Sequence, residues 1–566
     1  MVSYPDFPNP DLLNRIPLTA QVVLDVGCGA GSLGAAYRLR NPRARLLGID
    51  SHPELLAVAA ERLDEVALVN VEDDPLPFDV PEGIDCVVYG DILEHLSDPW
   101  PVLRRHIDVL TPDGTLLICI PNLEHWSFAE RLLRGNWDYE PHGLLDRTHL
   151  RWFSLESMRR GLLELGLHLC DVQPRIFDAE KSRAFATAMA PALTALGIDP
   201  ESYARRAAPL QYVWRARKRP QQRMIVASSM MAPVGGVSDV RVVQPLAAMA
   251  TDPMVTTMIA SNVTVPPTDD ETPRIFIMHR PILSGPQGRA MVEGFLNAGW
   301  VVVTEFDDHP DFLQNVPATE YLTFSGVHAV QTSTPALADL LRARNPEVAM
   351  FPNSLGSLPE VRNFETPERM TVFFGALNRE HDWAPLMPAI NAVAQKVGDR
   401  LHFRVVHDRA FFDALDTPHK QFTETCDYPT YFDLLGRSEI SLMPLSDTPF
   451  NRTKSDLKFI EAGACRVASL ASTVVYGDVV EDGRTGLLFR DAEELHARLL
   501  RLVVMPELAR ELGEAARTYV IEERMLAYQV ATRIAWYRSL WARRDVLTAA
   551  LRERLDKVVP QLAPAG

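Results

Sequence analysis

Two stretches of this chain bring together residue types that could act on a nucleotide-like ligand. The run Val22-Val23-Leu24-Asp25-Val26-Gly27-Cys28-Gly29-Ala30-Gly31 is a β-branched apolar segment that breaks into glycines. Glycines there let the backbone turn sharply and bring amide N–H groups up to a carboxylate or phosphate at a helix start. Gly29, Gly31 and Gly34 spell GxGxxG, and Asp50 ends the next apolar run, where it can accept hydrogen bonds from ribose hydroxyls. Far downstream, Lys454, Lys458 and Glu461 stand at i, i+4 and i+7, which predicts a shared helix face. Two cations beside a carboxylate suit a nucleotide-sugar: the cations neutralise a leaving diphosphate and the carboxylate holds ribose or sugar hydroxyls. Each pattern alone has a plainer reading, a dinucleotide loop of an NAD-linked oxidoreductase for the first and a surface ion-pair stripe for the second.

The elements needed to position these groups are legible as alternating apolar runs. From Gln21 to Asn122 short strands alternate with helical stretches, the signature of a parallel sheet covered on both faces. Two more strands are expected at Leu167–Val172 and Gln211–Ala216, around a helical insertion containing Ala184–Leu196. The stretch Arg215, Arg217, Lys218, Arg219, Pro220 reads as a solvated linker. A second series starts at Arg223 and continues through Arg274–Met278, Trp300–Phe306 and Val327–Gln331. A third runs through Thr371–Gly375, His402–Val406, Ile440–Pro444 and Arg466–Leu470, and a helical stretch from Pro506 ends the chain. The fold class is therefore α/β, with three Rossmann-like units and a helical tail. The expected domains are 1–219, 220–355, 356–535 and 536–566.

Bulk properties narrow the partners. With 566 residues the chain needs several cores, and a net charge of -17 argues against nucleic acid as the main partner. The six cysteines are scattered without a CxxC pair, as expected for free thiols in a reducing compartment. No run reaches the ~18 apolar residues of a membrane span, and no secretory signal is visible at the N-terminus, so a cytoplasmic location is expected. No metal is assigned.

Asp25, the glycine run and Tyr89-Gly90-Asp91-Ile92-Leu93-Glu94-His95-Leu96 together resemble the class I S-adenosylmethionine-dependent methyltransferases, over roughly Asn9 to Lys218. Asp25 and the Asp91–Leu96 stretch weigh against the NAD alternative. The resemblance implies S-adenosylmethionine as cofactor, with Gly27, Gly29 and Gly31 flanking its methionine part and Asp50 on its ribose. Asn70 and Val71 would border the adenine, Asn70 standing where many members carry Asp, and Asp25 and Asp91 join the cofactor-binding set. Methyl transfer to a hydroxyl needs an aligned acceptor and a base, for which His95 comes first and Glu94 second. Within His142–Arg151, Asp146 and His149 are acceptor-side candidates, or members of a loop-anchoring network.

The order Leu457–Ala468, Val474–Asp478 and Asp482–Phe489 resembles the C-terminal domain of GT-B glycosyltransferases of the retaining family 4 type. By that resemblance Phe374–Arg379 is the first strand and loop of the donor domain, with Arg379 meeting the diphosphate. Phe351-Pro352-Asn353 resembles the domain crossing, and Pro233-Val234-Gly235-Gly236 the glycine loop, which adds Gly236 to the sugar-nucleotide set. His279 is an acceptor-side candidate. Asp307-Asp308 invites comparison with a metal-binding DxD, which the GT-B pattern downstream disfavours. The family usually carries Glu where Thr453 stands.

The expected function is a bifunctional transferase of glycan assembly, methylating a sugar hydroxyl and transferring a sugar from a nucleotide-sugar to a glycan, lipid-linked or protein acceptor. Thr453 permits an alternative, a methyltransferase whose GT-B half is a degenerate glycan-binding scaffold. Trp536, Tyr537, Trp541, Arg543 and Arg544 could touch a membrane surface, but such a helix more often packs back on its own domains.

Overall fold

The computed structural model describes residues 6–230, 236–259, 271–310, 321–362 and 369–559. The chain forms two compact units, Met1–Gln222 with Ala250–Val255, and Arg223–Met249 with Thr256–Gly566.

The first unit holds a seven-stranded sheet built from β1 (Val22–Val26), β2 (Arg45–Asp50), β3 (Glu65–Leu68), β4 (Ile84–Gly90), β5 (Leu110–Pro121), β6 (His168–Arg175) and β7 (Gln211–Arg217), in the order β3-β2-β1-β4-β5-β7-β6. β1 to β5 pair in parallel, and β7 runs antiparallel to both β5 and β6. The central strands are buried nearly throughout, which is why they read as continuous apolar runs. Short helices cover them; that at Pro99–Asp108 starts on Asp98, whose side chain caps the Trp100 N–H, and that at Leu155–Glu164 starts on a Ser154–Ser157 capping box.

In the basic stretch after residue 214 only Arg219 and Pro220 are exposed as a solvated linker would be. Arg215 and Arg217 lie in β7 and are 6% and 8% exposed. Arg215 pairs with Asp171 at 2.6 Å, Arg217 donates to the Asp113 carbonyl at 3.0 Å, and Lys218 Nζ donates to the Leu110 carbonyl at 2.7 Å. Partners on neighbouring segments make these charges part of the sheet, a pairing that a local charge count cannot show.

The second unit holds two sheets. One contains β8 (Met224–Ser229), β9 (Val255–Ile259), β10 (Arg274–His279), β11 (Val301–Glu305), β12 (Ala329–Thr332) and β13 (Val348–Met350), ordered β13-β12-β11-β10-β8-β9. The other, parallel throughout, contains β14 (Met370–Gly375), β15 (Leu401–Val406), β16 (Lys420–Thr423), β17 (Ile440–Met443), β18 (Ala468–Ser472) and β19 (Leu487–Phe489), ordered β16-β15-β14-β17-β18-β19. The C-terminal helices pack back: Tyr537 is fully buried, and Leu551, Leu555 and Val559 join the core of the β8–β13 sheet. Among the described residues no helix is long and apolar enough to cross a membrane.

A charged network crosses the interior of this unit. Arg241, on a π-helical turn at Asp239–Val243, pairs with Glu305 at 2.9 Å, their side chains 1% and 0% exposed. Arg241 also donates to the Phe351 carbonyl and to Asn353 Oδ1, each at 2.8 Å. Gln331 donates to Glu305 at 2.6 Å and accepts from the Tyr537 hydroxyl at 2.6 Å. Removing one member of a buried pair strands the other charge. Arg241→Met should therefore cost the second unit about 3–5 kcal/mol, read by calorimetry as a lowered transition for that unit with the first unit's transition unmoved. An unshifted second-unit transition would remove the pair from this structural role.

Candidate functional site

In an open parallel sheet, ligands sit beyond the carboxyl ends of the strands where strand order reverses. In the first sheet that point lies between β1 and β4, and the candidate residues collect there. Gly27, Gly29 and Gly31 follow β1 with φ of 74°, 54° and 77°. A Cβ on Gly27 would come within 2.0 Å of Ile92 Cδ1, whereas one on Gly29 would meet nothing within 4 Å. Gly27 thus lets the turn after β4 pack close, and Gly29 leaves room over the loop. Asp50, at the end of β2, locks the loop: its Oδ2 accepts the Gly29 N–H at 2.8 Å and its Oδ1 the His52 N–H at 2.9 Å. Oδ1 also receives His52 Nδ1 at 3.0 Å, which leaves Oδ2 as the oxygen with a lone pair for a ribose hydroxyl. Burial pushes the Asp25 carboxyl up to about 7, with Asp50 adding to the effect.

The turn after β4 carries Asp91 in the left-handed region (φ 58°), accepting a hydrogen bond from the Gln211 side chain. Burial pushes Asp91 up to about 6. Leu93–His95 form a 3-10 turn. The backbone carbonyl of Glu94 accepts the N–H groups of Leu150 at 2.7 Å and Arg151 at 3.0 Å, which ties the 142–151 segment to this turn. Glu94, His95, Asp146 and His149, distant in sequence, therefore form one cluster, joined by Thr148. His95 is half-buried, and desolvation, then His149, lowers its pKa. Asn70 is exposed and bonded to Asp73 and Asp74, while the Val71 carbonyl receives Arg105.

In the third sheet order reverses between β14 and β17, again where the candidates lie. Arg379 follows β14, after Asn378 at φ 55°, and donates to Asn451 Oδ1 at 3.0 Å and Asp382 at 3.2 Å. Lys458 lies on the helix Leu457–Ala464 and donates to the Gly375 carbonyl. Glu461, 3% exposed, accepts the Tyr428 hydroxyl at 2.8 Å; burial pushes it up to about 7, partly offset by Lys458. Lys454 does not share this helix. It is extended (φ -66°, ψ 157°) after a 3-10 turn at Asn451–Thr453, because the chain is turned there by outside partners: Ser455 accepts from Asn353 at 2.8 Å and Asp456 pairs with Arg524. The three cations still gather: Arg379 bonds Asn451, whose carbonyl accepts the Lys454 N–H at 3.0 Å, and Lys458 reaches the Gly375 carbonyl at the end of β14.

Lys454 pairs with Asp308 at 2.6 Å, and Asp307 with Arg280 at 2.7 Å, so both carboxylates are engaged by cations. Burial raises Asp307, but Arg280 and its neighbours more than offset this and hold it below the ordinary carboxylate value. His279 is 3% exposed with both ring nitrogens unpartnered, and burial pushes it down to about 4. Gly236 (φ 80°) faces the Tyr428 ring, 2.9 Å from where its Cβ would stand; Pro233, Val234 and Gly235 lie outside the described residues. Thr453 is buried, its hydroxyl donating to the Phe450 carbonyl at 2.8 Å. Arg241, Glu305, Tyr428, Asn451 and Thr148 escaped the sequence reading. Tyr428 alone carried a local signal, following the helix-capping Asp427.

The family model described as a methyltransferase domain matches residues 24–116, and one described as glycosyl transferase-like matches residues 388–535. The chain carries both domains. The second match holds Lys454, Lys458 and Glu461 but begins after Arg379. Trans-aconitate 2-methyltransferase of Shigella dysenteriae is 32% identical over 139 residues, 24% of this chain and 54% of the relative. The chain thus spans about half the length of the curated relatives it matches. Among solved structures, a glycosyltransferase from Rickettsia africae is 13% identical with a TM-score of 0.40, covering 56% of this chain and 99% of its own. An S-adenosylmethionine dependent methyltransferase from Mesorhizobium loti is 16% identical with a TM-score of 0.25, covering 37% and 96%.

Asp25 supplies a pH test. A folded carboxyl raised from 3.8 to about 7 holds its proton where the unfolded chain has lost it, so stability falls as pH rises through that window. Asp25→Asn lacks this loss. Its melting temperature relative to wild type should rise from about pH 4 to about pH 7 and then level off. A difference unchanged between the two ends would rule out Asp25 as a buried titrating group.

Proposed function

We propose that this chain is a bifunctional transferase of glycan assembly acting in the cytoplasm. The first unit methylates an acceptor hydroxyl, of a sugar, with S-adenosylmethionine. The second moves a sugar from a nucleotide-sugar donor, as a retaining enzyme, to a glycan, lipid-linked or protein acceptor. The observation that carries this reading is the pairing of two switch-point crevices of different chemistry in one chain. One has an Asp50-anchored glycine loop with open space over Gly29; the other has three converging cations beside a buried carboxylate.

The first crevice fits S-adenosylmethionine: Gly29 leaves room for it, Asp50 Oδ2 offers a lone pair to its ribose, and Gly27, Gly31, Asn70 and Val71 border the remainder. When bound, that cofactor supplies an electrophilic methyl group. Burial keeps His95 neutral at physiological pH, so it can receive the acceptor's proton; Asp146 and His149 flank the acceptor. In the second crevice, Arg379, Lys454 and Lys458 stabilise charge on a departing diphosphate, and Glu461 orients hydroxyls. Donor binding would exchange Asp308 for phosphate on Lys454. A second reading, a methyltransferase with a scaffold GT-B half, draws on Thr453 and on the Lys454–Asp308 pair.

A thermal-shift panel separates these readings, because a ligand that binds only the native state raises its stability. S-adenosylhomocysteine should stabilise wild type, and Asp50→Ala should weaken it about ten- to a hundredfold, the worth of hydrogen bonds to a charged group. UDP, GDP or TDP should stabilise wild type, and Lys454→Ala should weaken that nucleotide by a similar factor. A shift with S-adenosylhomocysteine alone would favour the scaffold reading, and a shift with NAD instead would overturn the methyltransferase assignment.

A further inference from the structure

Glu94 is 1% exposed, and neither carboxylate oxygen has a hydrogen-bond partner. Such a group is costly unless something compensates it.

Two imidazoles stand beside it. One ligand atom from each of Glu94, His95 and His149 lies within 4.8 Å of the others, and the two rings meet edge to face with centroids 4.8 Å apart. Both rings are oriented through Nδ1. His149 Nδ1 faces the Leu144 carbonyl at 3.1 Å, so it donates there. The Thr148 hydroxyl donates to Asp146 Oδ1 at 2.7 Å, which leaves its oxygen to accept from His95 Nδ1 at 3.0 Å. With Nδ1 carrying the proton in each ring, each Nε2 keeps its lone pair. Metal-ligating histidines are held in this way, their second nitrogen donating to a carbonyl or to a carboxylate-supported group.

We propose that Glu94, His95 and His149 form a site for a first-row divalent cation, with two imidazole nitrogens and one carboxylate as ligands. Imidazole ligands favour zinc, cobalt or nickel over magnesium or calcium, and three protein ligands leave room for water or an acceptor oxygen. That oxygen would approach from the side of His95, the most exposed of the three. On the methyltransferase reading, on which this use but not the binding rests, the cation would acidify the acceptor hydroxyl, whose proton passes to solvent as the oxygen takes the methyl group and S-adenosylhomocysteine leaves, and His95 serves as ligand instead of free base.

The test uses the tag-free full chain, stripped with chelator and titrated with Co2+ or Zn2+ alone. Wild type should bind a single cation, Co2+ giving visible ligand-field absorption of a nitrogen-and-oxygen site. Glu94→Gln and His149→Asn, each checked by circular dichroism, should weaken binding at least about tenfold. If one variant does not fold, the other and the wild-type spectrum decide. Wild type binding no more cation than the variants, or showing no ligand-field absorption, overturns the site. The S-adenosylhomocysteine melting shift, measured in parallel, keeps the failures apart: its loss with cation bound sinks the cofactor reading alone, and its presence without cation binding sinks the site alone.

Discussion

Where strand order reverses in a parallel sheet, the loops leaving two adjacent strands diverge to opposite faces, and neither helix layer can fill the space between them. Each of the three sheets has such a reversal, between β1 and β4, between β8 and β10, and between β14 and β17. The candidate residues of the first and third sheets are the ones their strands deliver to those openings. Gly27–Gly31 and Asp91–His95 leave adjacent strands in one; Arg379 and the Asn451–Glu461 segment do so in the other. The rest of each domain holds those strand ends in register.

Charge burial is the second constraint. Lys454 and Lys458 are disfavoured by desolvation and by Arg379, and Glu461 is disfavoured by desolvation. Asp308 offsets part of this for Lys454 and Glu461 part of it for Lys458. Arg241 and Glu305 show the opposite case, a pair satisfied entirely by internal partners and therefore structural.

The central strands were legible because burial on both faces demands uninterrupted β-branched runs. The strands that escaped notice, β9, β13, β16 and β19, are the two edges of each sheet in the second unit. An edge is short and partly solvated, and three of these four hold at most one buried residue each, so they leave little apolar signal. The i, i+4, i+7 spacing misplaced Lys454 because periodicity describes a helix but not where it starts; Asp456 and Ser455 are held by Arg524 and Asn353, from distant segments. Likewise a local charge count reads Arg215 and Arg217 as linker, whereas their partners, Asp171 and the Asp113 carbonyl, lie on the neighbouring strands β6 and β5.

By itself the sequence determined the three-sheet α/β plan, the glycine loop with Asp50, and the basic residues of the second crevice, because burial pattern, turn chemistry and residue type are local properties of a chain. Tertiary structure alone decided the joining of Glu94 and His95 to His149, the burial of Arg241 against Glu305, and the capture of Lys454 by Asp308. These depend on which distant segments meet, and on how little water remains between them.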